Sequence, residues 1–211
     1  MAYFDNNNFS NTIPPVTRYI LIINGVIWLI CEVLKQTWLT GILALWSINT
    51  GEFHLYQLIT YMFTQQKFGH FFFNMFAVFM FGRSLEYYWG PKRFLIYYMI
   101  TGIGAGLIQL LVSHLQGVPS ITIGASGSVF GLLLAFGMIF PNVPLYIMFI
   151  PIPIKAKYMV IGYGLLEFFL GIGNRVGDNV AHFAHLGGML FGIFMILYWR
   201  KKRTDYDNQG F

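Results

Sequence analysis

The chain has 211 residues, of which 56% are hydrophobic and only 10% are charged, with a formal net charge of +5. A soluble domain carries about 25% charged residues, so this chain has too few polar groups to cover a water-facing surface, and its hydrophobicity also excludes a disordered chain. The basic residues are scattered or lie at the C-terminal end, without an aromatic-interleaved basic face, which argues against a nucleic-acid partner. The composition indicates an integral membrane protein that has the lipid bilayer as its solvent.

Hydropathy predicts six membrane-spanning helices. A span needs roughly 20 mostly apolar residues, and the stretches that approach this length are 19–39, 70–89, 94–112, 126–140, 158–172 and 180–199. Glu32 and Lys35 interrupt the first stretch, while prolines follow the second and the fourth. The proline-punctuated piece between residues 143 and 154 cannot form one continuous helix and is expected at the membrane interface. The predicted fold class is an all-α integral membrane protein built as a six-helix bundle.

The spans imply a simple domain organisation and orientation. We expect a flexible tail over residues 1–15, a membrane-embedded domain over residues 16–200 and a C-terminal tail over residues 201–211. Of the 13 lysines and arginines, all but three lie on the side of the termini, the exceptions being Lys35, Lys67 and Arg175. Both termini are therefore predicted to be cytoplasmic, in a multi-pass protein of a bacterial inner membrane. Spans two, four and six then begin at the same outer depth.

The first turns of these three spans contain polar residues that lipid disfavours, namely His70, Asn74, Ser126, His182 and His185. His70 and Asn74 are four residues apart and share one helix face. Gly124 and Gly127 flank Ser126 where a loop meets a helix N-terminus, whose N–H groups attract developing negative charge. Taken singly, such residues are explained by capping, snorkelling or helix contacts. Because the topology brings all of them to one depth, we favour a functional site.

Ser126 needs an adjacent base to become a nucleophile, and histidine is the usual one. At 100° per residue, Gly188 lies about 60° from His185 but about 120° from His182 on the sixth span. His185 therefore shares a small-residue stripe with Gly188, and Gly127 offers a matching small residue on the fourth span. Close approach of the two helices would bring His185 toward Ser126. His182 is the fallback base and is otherwise explained as a polar residue facing the mouth of the site.

The sequence offers no evident third member of a triad. Asp178 lies in the outer loop before the sixth span, and Glu167 lies on a span that runs in the opposite direction. We therefore predict a dyad. His182-x-x-His185 could hold a metal ion, but a single cysteine and no clustered carboxylate disfavour this interpretation. Neither a metal nor a cofactor is expected.

These residues resemble the motifs of the rhomboid family of intramembrane serine proteases, over about residues 53–199. Four fragments carry the resemblance in the family's order: Gly82-x-x-x-Glu86-x-x-x-Gly90 and His70-x-x-x-Asn74 on the second helix, Gly124-Ala-Ser126-Gly127 at the fourth, and His185-Leu-Gly-Gly188 on the sixth. The resemblance implies a six-transmembrane-helix rhomboid-like bundle. It also implies that the chain is a serine endopeptidase that cleaves single-pass or multi-pass membrane proteins in or near their transmembrane helices.

The resemblance further implies roles for individual residues. Ser126 would be the nucleophile and His185 the general base, and an oxyanion hole would be formed by the Ser126 N–H with the His70 and Asn74 side chains. Phe130 falls where the family commonly has an aromatic residue packed on the catalytic imidazole, although ordinary lipid-facing or core packing is an equal alternative. The loop over about residues 41–69 would lie partly in the outer leaflet, and the fifth helix would be a mobile wall for substrate access.

The chain also departs from the family pattern, and other functions remain open. Tyr56-Gln57 stands where many members have Trp-Arg, and Gln65 or Gln66 stands where a loop histidine is expected. One alternative is a non-catalytic rhomboid-like protein that binds transmembrane clients, which predicts loss of the serine or the histidine. A less favoured alternative is a small transporter, which predicts polar residues along the full depth of several helices; only Glu167 fits that pattern.

Overall fold

The computed structural model describes residues 12–146, 152–173 and 181–208, with side chains in the last segment described to residue 202. These residues are mostly helical. The α-helices are α1 (Pro15–Trp28), α2 (Thr37–Leu43), α3 (Gln57–Thr60), α4 (Phe68–Ala77), α5 (Arg83–Trp89), α6 (Pro91–Gln116), α7 (Ser126–Ile139), α8 (Ala156–Gly173) and α9 (His182–Asn208). Short 3-10 turns cover Ile48–Thr50 and Tyr61–Phe63, and π turns cover Leu29–Val33 and Val78–Gly82.

Helical segments overlap the six predicted spans, but only some of them are long enough to cross a bilayer, so the count of six spans is not confirmed. Within the described residues, four segments have the length and apolar composition of a span: Pro15–Val33, Pro91–Gln116, Ala156–Gly173 and His182–Lys202. Helix α7 is apolar but has only 14 residues, which gives about 21 Å of helix against a hydrocarbon core of about 30 Å. Helices α4 and α5 are joined through the π turn Val78–Gly82 into one helical segment.

The predicted boundaries of the first span are wrong. The helix begins at Pro15, whose fixed φ suits a first helical position, and its π turn ends at Val33. Lys35 then adopts a positive φ of 56°, a conformation that a helix cannot continue through. Residues 37–43 consequently form the separate helix α2 rather than the end of the span.

Two short antiparallel strand pairs connect loop segments in the described part of the chain. Strand β1 (Leu45–Trp46) pairs antiparallel with β2 (Ile121–Thr122), which ties the first long loop to the segment that precedes α7. Strand β3 (Pro144–Tyr146) pairs with β4 (Pro153–Lys155) in the proline-punctuated piece between α7 and α8, where residues 147–151 lie outside the described residues. Proline at a strand end is compatible with such short edge pairings.

The interior is formed where α6, α7 and α9 pack together, with α1 and the α4–α5 segment on one side and α8 on the other. Buried tyrosines and leucines fill this interior, and Tyr97 and Tyr98 of α6 are fully buried. Helix α8 buries few side chains, among them Met159, Val160 and Glu167. Many of its other apolar side chains are exposed, as expected for a helix that faces lipid.

A buried carboxylate fastens α1 to the α4–α5 segment. Glu86 accepts hydrogen bonds from the backbone N–H groups of Val16 and Thr17 at 2.9 and 2.7 Å, and from the Thr17 hydroxyl at 2.8 Å. These N–H groups belong to the first turn of α1, which has no intrahelical acceptors for them. The glutamate of the second-helix motif therefore satisfies the start of the first helix.

The structure describes only part of the two predicted tails. Residues 1–11 of the predicted N-terminal tail lie outside the described residues. At the other end, α9 continues without a break past residue 200 to Asn208. The predicted tail boundary at residue 201 therefore does not mark the end of the helix.

Candidate active site

Ser126 is the first residue of α7, and the loop before it is held in place by backbone contacts. Gly124 has a φ of 120°, which L side chains rarely adopt and glycine adopts freely. Its N–H donates to the Tyr61 carbonyl at 2.9 Å, and β2 precedes it by two residues. The loop thus presents Ser126 at a helix N-terminus, as the glycine-flanked sequence predicts.

The structure brings Ser126 and His185 together. Gly188 on α9 faces the backbone of Gly127 on α7 so closely that an added Cβ would overlap the Gly127 carbonyl oxygen. The two helices therefore meet backbone to backbone. In this arrangement Ser126 Oγ lies 2.8 Å from His185 Nε2, which is hydrogen-bonding distance. His185 is buried and Ser126 is partly exposed.

Phe130 stacks on the His185 ring. The two ring centroids are 4.3 Å apart and the ring planes differ by 11°. Of the two placements considered for Phe130, the structure therefore has the one against the imidazole. A stacked contact of this kind restricts rotation of the imidazole ring about its Cβ–Cγ bond and covers one face of the ring.

His70 and Asn74 lie beside the loop that carries Ser126. A Cβ on Gly124 would come within 2.7 Å of His70 Cε1 and 3.7 Å of Asn74 Nδ2. Only a glycine leaves room for these side chains at this point of the loop. The predicted oxyanion donors and the candidate nucleophile are therefore neighbours across Gly124.

A chain of buried amides holds Asn74. Asn74 Nδ2 donates to Gln65 Oε1 at 2.8 Å, and Gln65 Nε2 donates to Asn24 Oδ1 at 2.9 Å. Asn24 Nδ2 in turn donates to the Ile20 carbonyl of α1 at 2.9 Å. All three amide side chains are buried, and Gln65 is 0% exposed. The chain fixes which atom of the Asn74 amide is the donor, because Gln65 offers it an oxygen.

Glu167 corrects the prediction that no carboxylate approaches the site. Its Oε2 lies 2.6 Å from His182 Nδ1 and 2.9 Å from His185 Nδ1. The contact with His182 has hydrogen-bond geometry. The contact with His185 has the right length, but the ring N–H is not aligned with the oxygen, so His185 Nδ1 lacks a hydrogen-bond partner among the described atoms. Asp178, the other candidate, lies outside the described residues.

His182 is also placed differently from the prediction. It is 8% exposed, so it does not face the mouth of the site. Its bond to Glu167 explains its burial, since buried polar groups are normally paired.

Glu167, His182 and His185 could together hold a metal ion, since one ligand atom from each lies within 4.8 Å of the others. The argument that no carboxylate lies near His182-x-x-His185 is therefore wrong. Two carboxylate–imidazole contacts nevertheless account for the cluster without an ion, and both are shorter than the separation of roughly 3 Å or more expected between ligand atoms about 2.0–2.2 Å from a shared zinc.

Sequence reasoning did not assign three residues to this site. Asn24, Gln65 and Glu167 are polar residues in or beside apolar segments, and intramembrane polar residues are functional candidates. That signal was present, but no local spacing links these residues to Ser126. Their relation to the site arises from packing between helices that are distant in the sequence.

The chain is similar to known proteins over most of its length. Residues 52–202 match the sequence model of the rhomboid domain family. The chain is 30% identical over 141 residues to the yeast Saccharomyces cerevisiae "Rhomboid protein 1, mitochondrial", a match covering 66% of this chain and 40% of that protein. It is 27% identical over 201 residues to the Bacillus subtilis "Putative rhomboid protease YdcA", covering 91% of this chain and 92% of that protein.

A third relative is also named as a protease. The Toxoplasma gondii "Rhomboid-like protease 3" is 26% identical over 157 residues, covering 74% of this chain and 56% of that protein. The chain thus spans less than two thirds of the yeast and Toxoplasma proteins, and nearly the whole of the Bacillus protein.

Proposed function

Because the chain belongs to the rhomboid family, we propose that it is an intramembrane serine endopeptidase in which Ser126 is the nucleophile and His185 the general base. The observation that carries the proposal is the 2.8 Å contact between Ser126 Oγ and His185 Nε2. A nucleophile and a base within hydrogen-bond reach, on two different helices, form the minimal machinery for acyl transfer. The same pairing has no evident purpose in a protein that only binds clients.

The proposed reaction is hydrolysis of a peptide bond. His185 accepts the Ser126 proton at Nε2 as Oγ attacks the carbonyl carbon, and it then returns that proton to the leaving amine. A water molecule, deprotonated by His185, next attacks the acyl-enzyme and releases the second product. No metal or cofactor takes part in these steps.

The negative charge that develops on the substrate's carbonyl oxygen during attack needs hydrogen-bond donors beside Ser126. We assign this role to the Ser126 N–H and to the side chains of His70 and Asn74, which lie beside Gly124. Removal of one such donor typically lowers kcat by about 10²–10³-fold.

The proposed substrates are single-pass or multi-pass membrane proteins. A helical substrate hides its carbonyls in i to i−4 hydrogen bonds, so segments with glycine or proline near the membrane surface should unwind and be cleaved most readily. With Ser126 near the outer surface and the termini in the cytoplasm, cleavage would occur in the outer half of the membrane. The bacterial inner membrane remains our expectation for location; relatives with mitochondrial names match the chain as well.

A fluorophosphonate probe tests the proposal directly. Such probes phosphonylate only an activated serine, so the detergent-solubilised wild type should be labelled, and both Ser126→Ala and His185→Ala should abolish labelling. Ser128→Ala is the matched control, since Ser128 lies on the same helix but donates to the Tyr98 carbonyl at 3.0 Å. It should label like the wild type.

The same experiment separates the alternatives. A folded wild type that is never labelled, or labelling that persists in Ser126→Ala, contradicts the protease and favours the client-binding function. Cleavage of a transmembrane substrate in liposomes, lost in the same two variants, would then extend the result from a probe to a peptide bond.

A further inference from the structure

One carboxylate at the site serves two imidazoles. Glu167 Oε2 lies 2.6 Å from His182 Nδ1 and 2.9 Å from His185 Nδ1. All three side chains are at most 9% exposed. A buried carboxylate is stable only when it is paired with hydrogen-bond donors, and among the described residues these two rings lie within ion-pair distance of it.

The two ring nitrogens of His185 face different partners. Nε2 faces the Ser126 hydroxyl, and Nδ1 faces Glu167 and has no other partner among the described atoms. When Nε2 accepts a hydrogen bond from the hydroxyl, the neutral ring must carry its proton on Nδ1. The Glu167 carboxylate oxygen lies 2.9 Å from Nδ1, so a small rotation of the carboxyl group is enough for it to accept that proton in a hydrogen bond.

We propose that Glu167 is a positioning residue for His185 and turns the Ser126–His185 pair into a Ser–His–Glu triad. This inference rests on the proposed function, because it assigns His185 the role of base. Glu167 holds the proton of the neutral imidazole on Nδ1 and keeps Nε2 free to receive the Ser126 proton. When Nε2 takes that proton, the imidazolium gains a carboxylate at its other nitrogen; no proton passes to Glu167.

His182 has the complementary task of holding the carboxylate. Its Nδ1 gives the shorter and better aligned contact with Oε2, so the carboxylate is anchored there and stays within 2.9 Å of His185 Nδ1. A small rotation of the carboxyl group is enough to align Oε2 with the His185 N–H once the ring becomes cationic. The arrangement explains why His182 is buried rather than facing water.

The test compares isosteric variants with two substrates of different size. Glu167→Gln preserves shape and removes the negative charge, and Glu32→Gln removes the same charge from the first span, away from Ser126 and His185. A dyad without its carboxylate keeps a nucleophile and a base, and loss of the aspartate from serine-protease triads costs about 10⁴-fold. Because the contact here is imperfectly aligned, we expect Glu167→Gln to lower the probe-labelling rate about 10²-fold. Glu32→Gln should stay within about twofold of wild type.

A purely structural role for Glu167 predicts a different pattern. If the carboxylate only fastened α8 to α9, Glu167→Gln would alter KM for a transmembrane substrate and leave the small soluble probe unaffected. The triad instead predicts equal falls in probe-labelling rate and in kcat, with KM unchanged. A Glu167→Gln labelling rate within about twofold of wild type, in folded protein, overturns the inference.

Nitrogen NMR of the wild type gives an answer that needs neither activity nor a stable Glu167 variant. The chain has five histidines, so ¹⁵N-histidine labelling yields few signals, and a His185→Ala sample assigns the relevant one. The inference requires His185 to be protonated at Nδ1 and unprotonated at Nε2; the opposite tautomer overturns it even where Glu167→Gln fails to fold. If the wild type shows the expected tautomer but does not react with the fluorophosphonate probe, the proposed function is refuted instead.

Discussion

The amide chain behind Asn74 gives a prediction whose size follows from the structure. Gln65→Met keeps the volume of the buried side chain but removes both of its hydrogen bonds, the 2.8 Å bond from Asn74 Nδ2 and the 2.9 Å bond to Asn24 Oδ1. Each buried amide group left without a partner costs about 1–3 kcal/mol. With two groups left unpaired, we therefore expect a loss of about 2–6 kcal/mol in stability, seen as a lower Tm in detergent.

The fall in kcat caused by Gln65→Met should be smaller than the fall caused by removing the Asn74 side chain. In Gln65→Met the Asn74 amide is still present but can rotate away from the position beside Gly124. Since deletion of an oxyanion donor costs about 10²–10³-fold, we expect kcat for a transmembrane substrate to fall about 10- to 100-fold, with KM little changed. Asn74→Ala sets the upper limit of the effect.

The neighbouring residue supplies the control. Gln66 is exposed, so Gln66→Met should preserve both kcat and Tm. The assay is cleavage of a fluorescent transmembrane substrate in micelles, at a temperature where every variant is folded by circular dichroism. Equal kcat values for Gln65→Met and wild type would refute the idea that the amide chain orients Asn74.

Two further predictions concern the packing around the site. Gly188→Ala would place a methyl group on the Gly127 carbonyl, so the helices must separate; we expect about 1–3 kcal/mol lower stability and reduced probe labelling, measured by thermal melts and gel fluorescence. Gly162→Ala, with no atom within 4 Å of the new methyl group, should change neither, and an unaffected Gly188→Ala would contradict the close contact. Phe130→Leu removes a stack on His185 worth about 0.5–1.5 kcal/mol, so kcat should fall roughly 2- to 10-fold; an unchanged kcat would show that the stack does not orient the ring.

Some features of the site could be predicted because they depend on local spacing and on depth. The interval of four residues between His70 and Asn74 determines a shared helix face, and the glycines around Ser126 determine where a loop ends and a helix starts. The choice of His185 over His182 followed from the angular position of Gly188. Each of these arguments uses a regular helix, and α7 and α9 are regular where the site lies.

The remaining features depend on irregular backbone or on contacts between distant segments. Two π turns and a positive φ at Lys35 are not encoded by hydropathy, so the end of the first span was misplaced. Glu167 was set aside because its helix runs the other way, yet direction along the membrane does not decide depth. A carboxylate eleven residues into α8 and an imidazole near the start of α9 reach the same level because the two helices are antiparallel.

The contact between Gly127 and Gly188 has a consequence for how such a catalyst can change. With no side chain between the two helices at this point, the separation of their backbones is set by main-chain atoms, and no change of rotamer at the contact can correct an error there. Selection or engineering for new cleavage preferences must therefore leave the contact between Gly127 and Gly188 unchanged. Variation is free to act on the exposed apolar surface of α8 and on the long first loop, which do not take part in this contact.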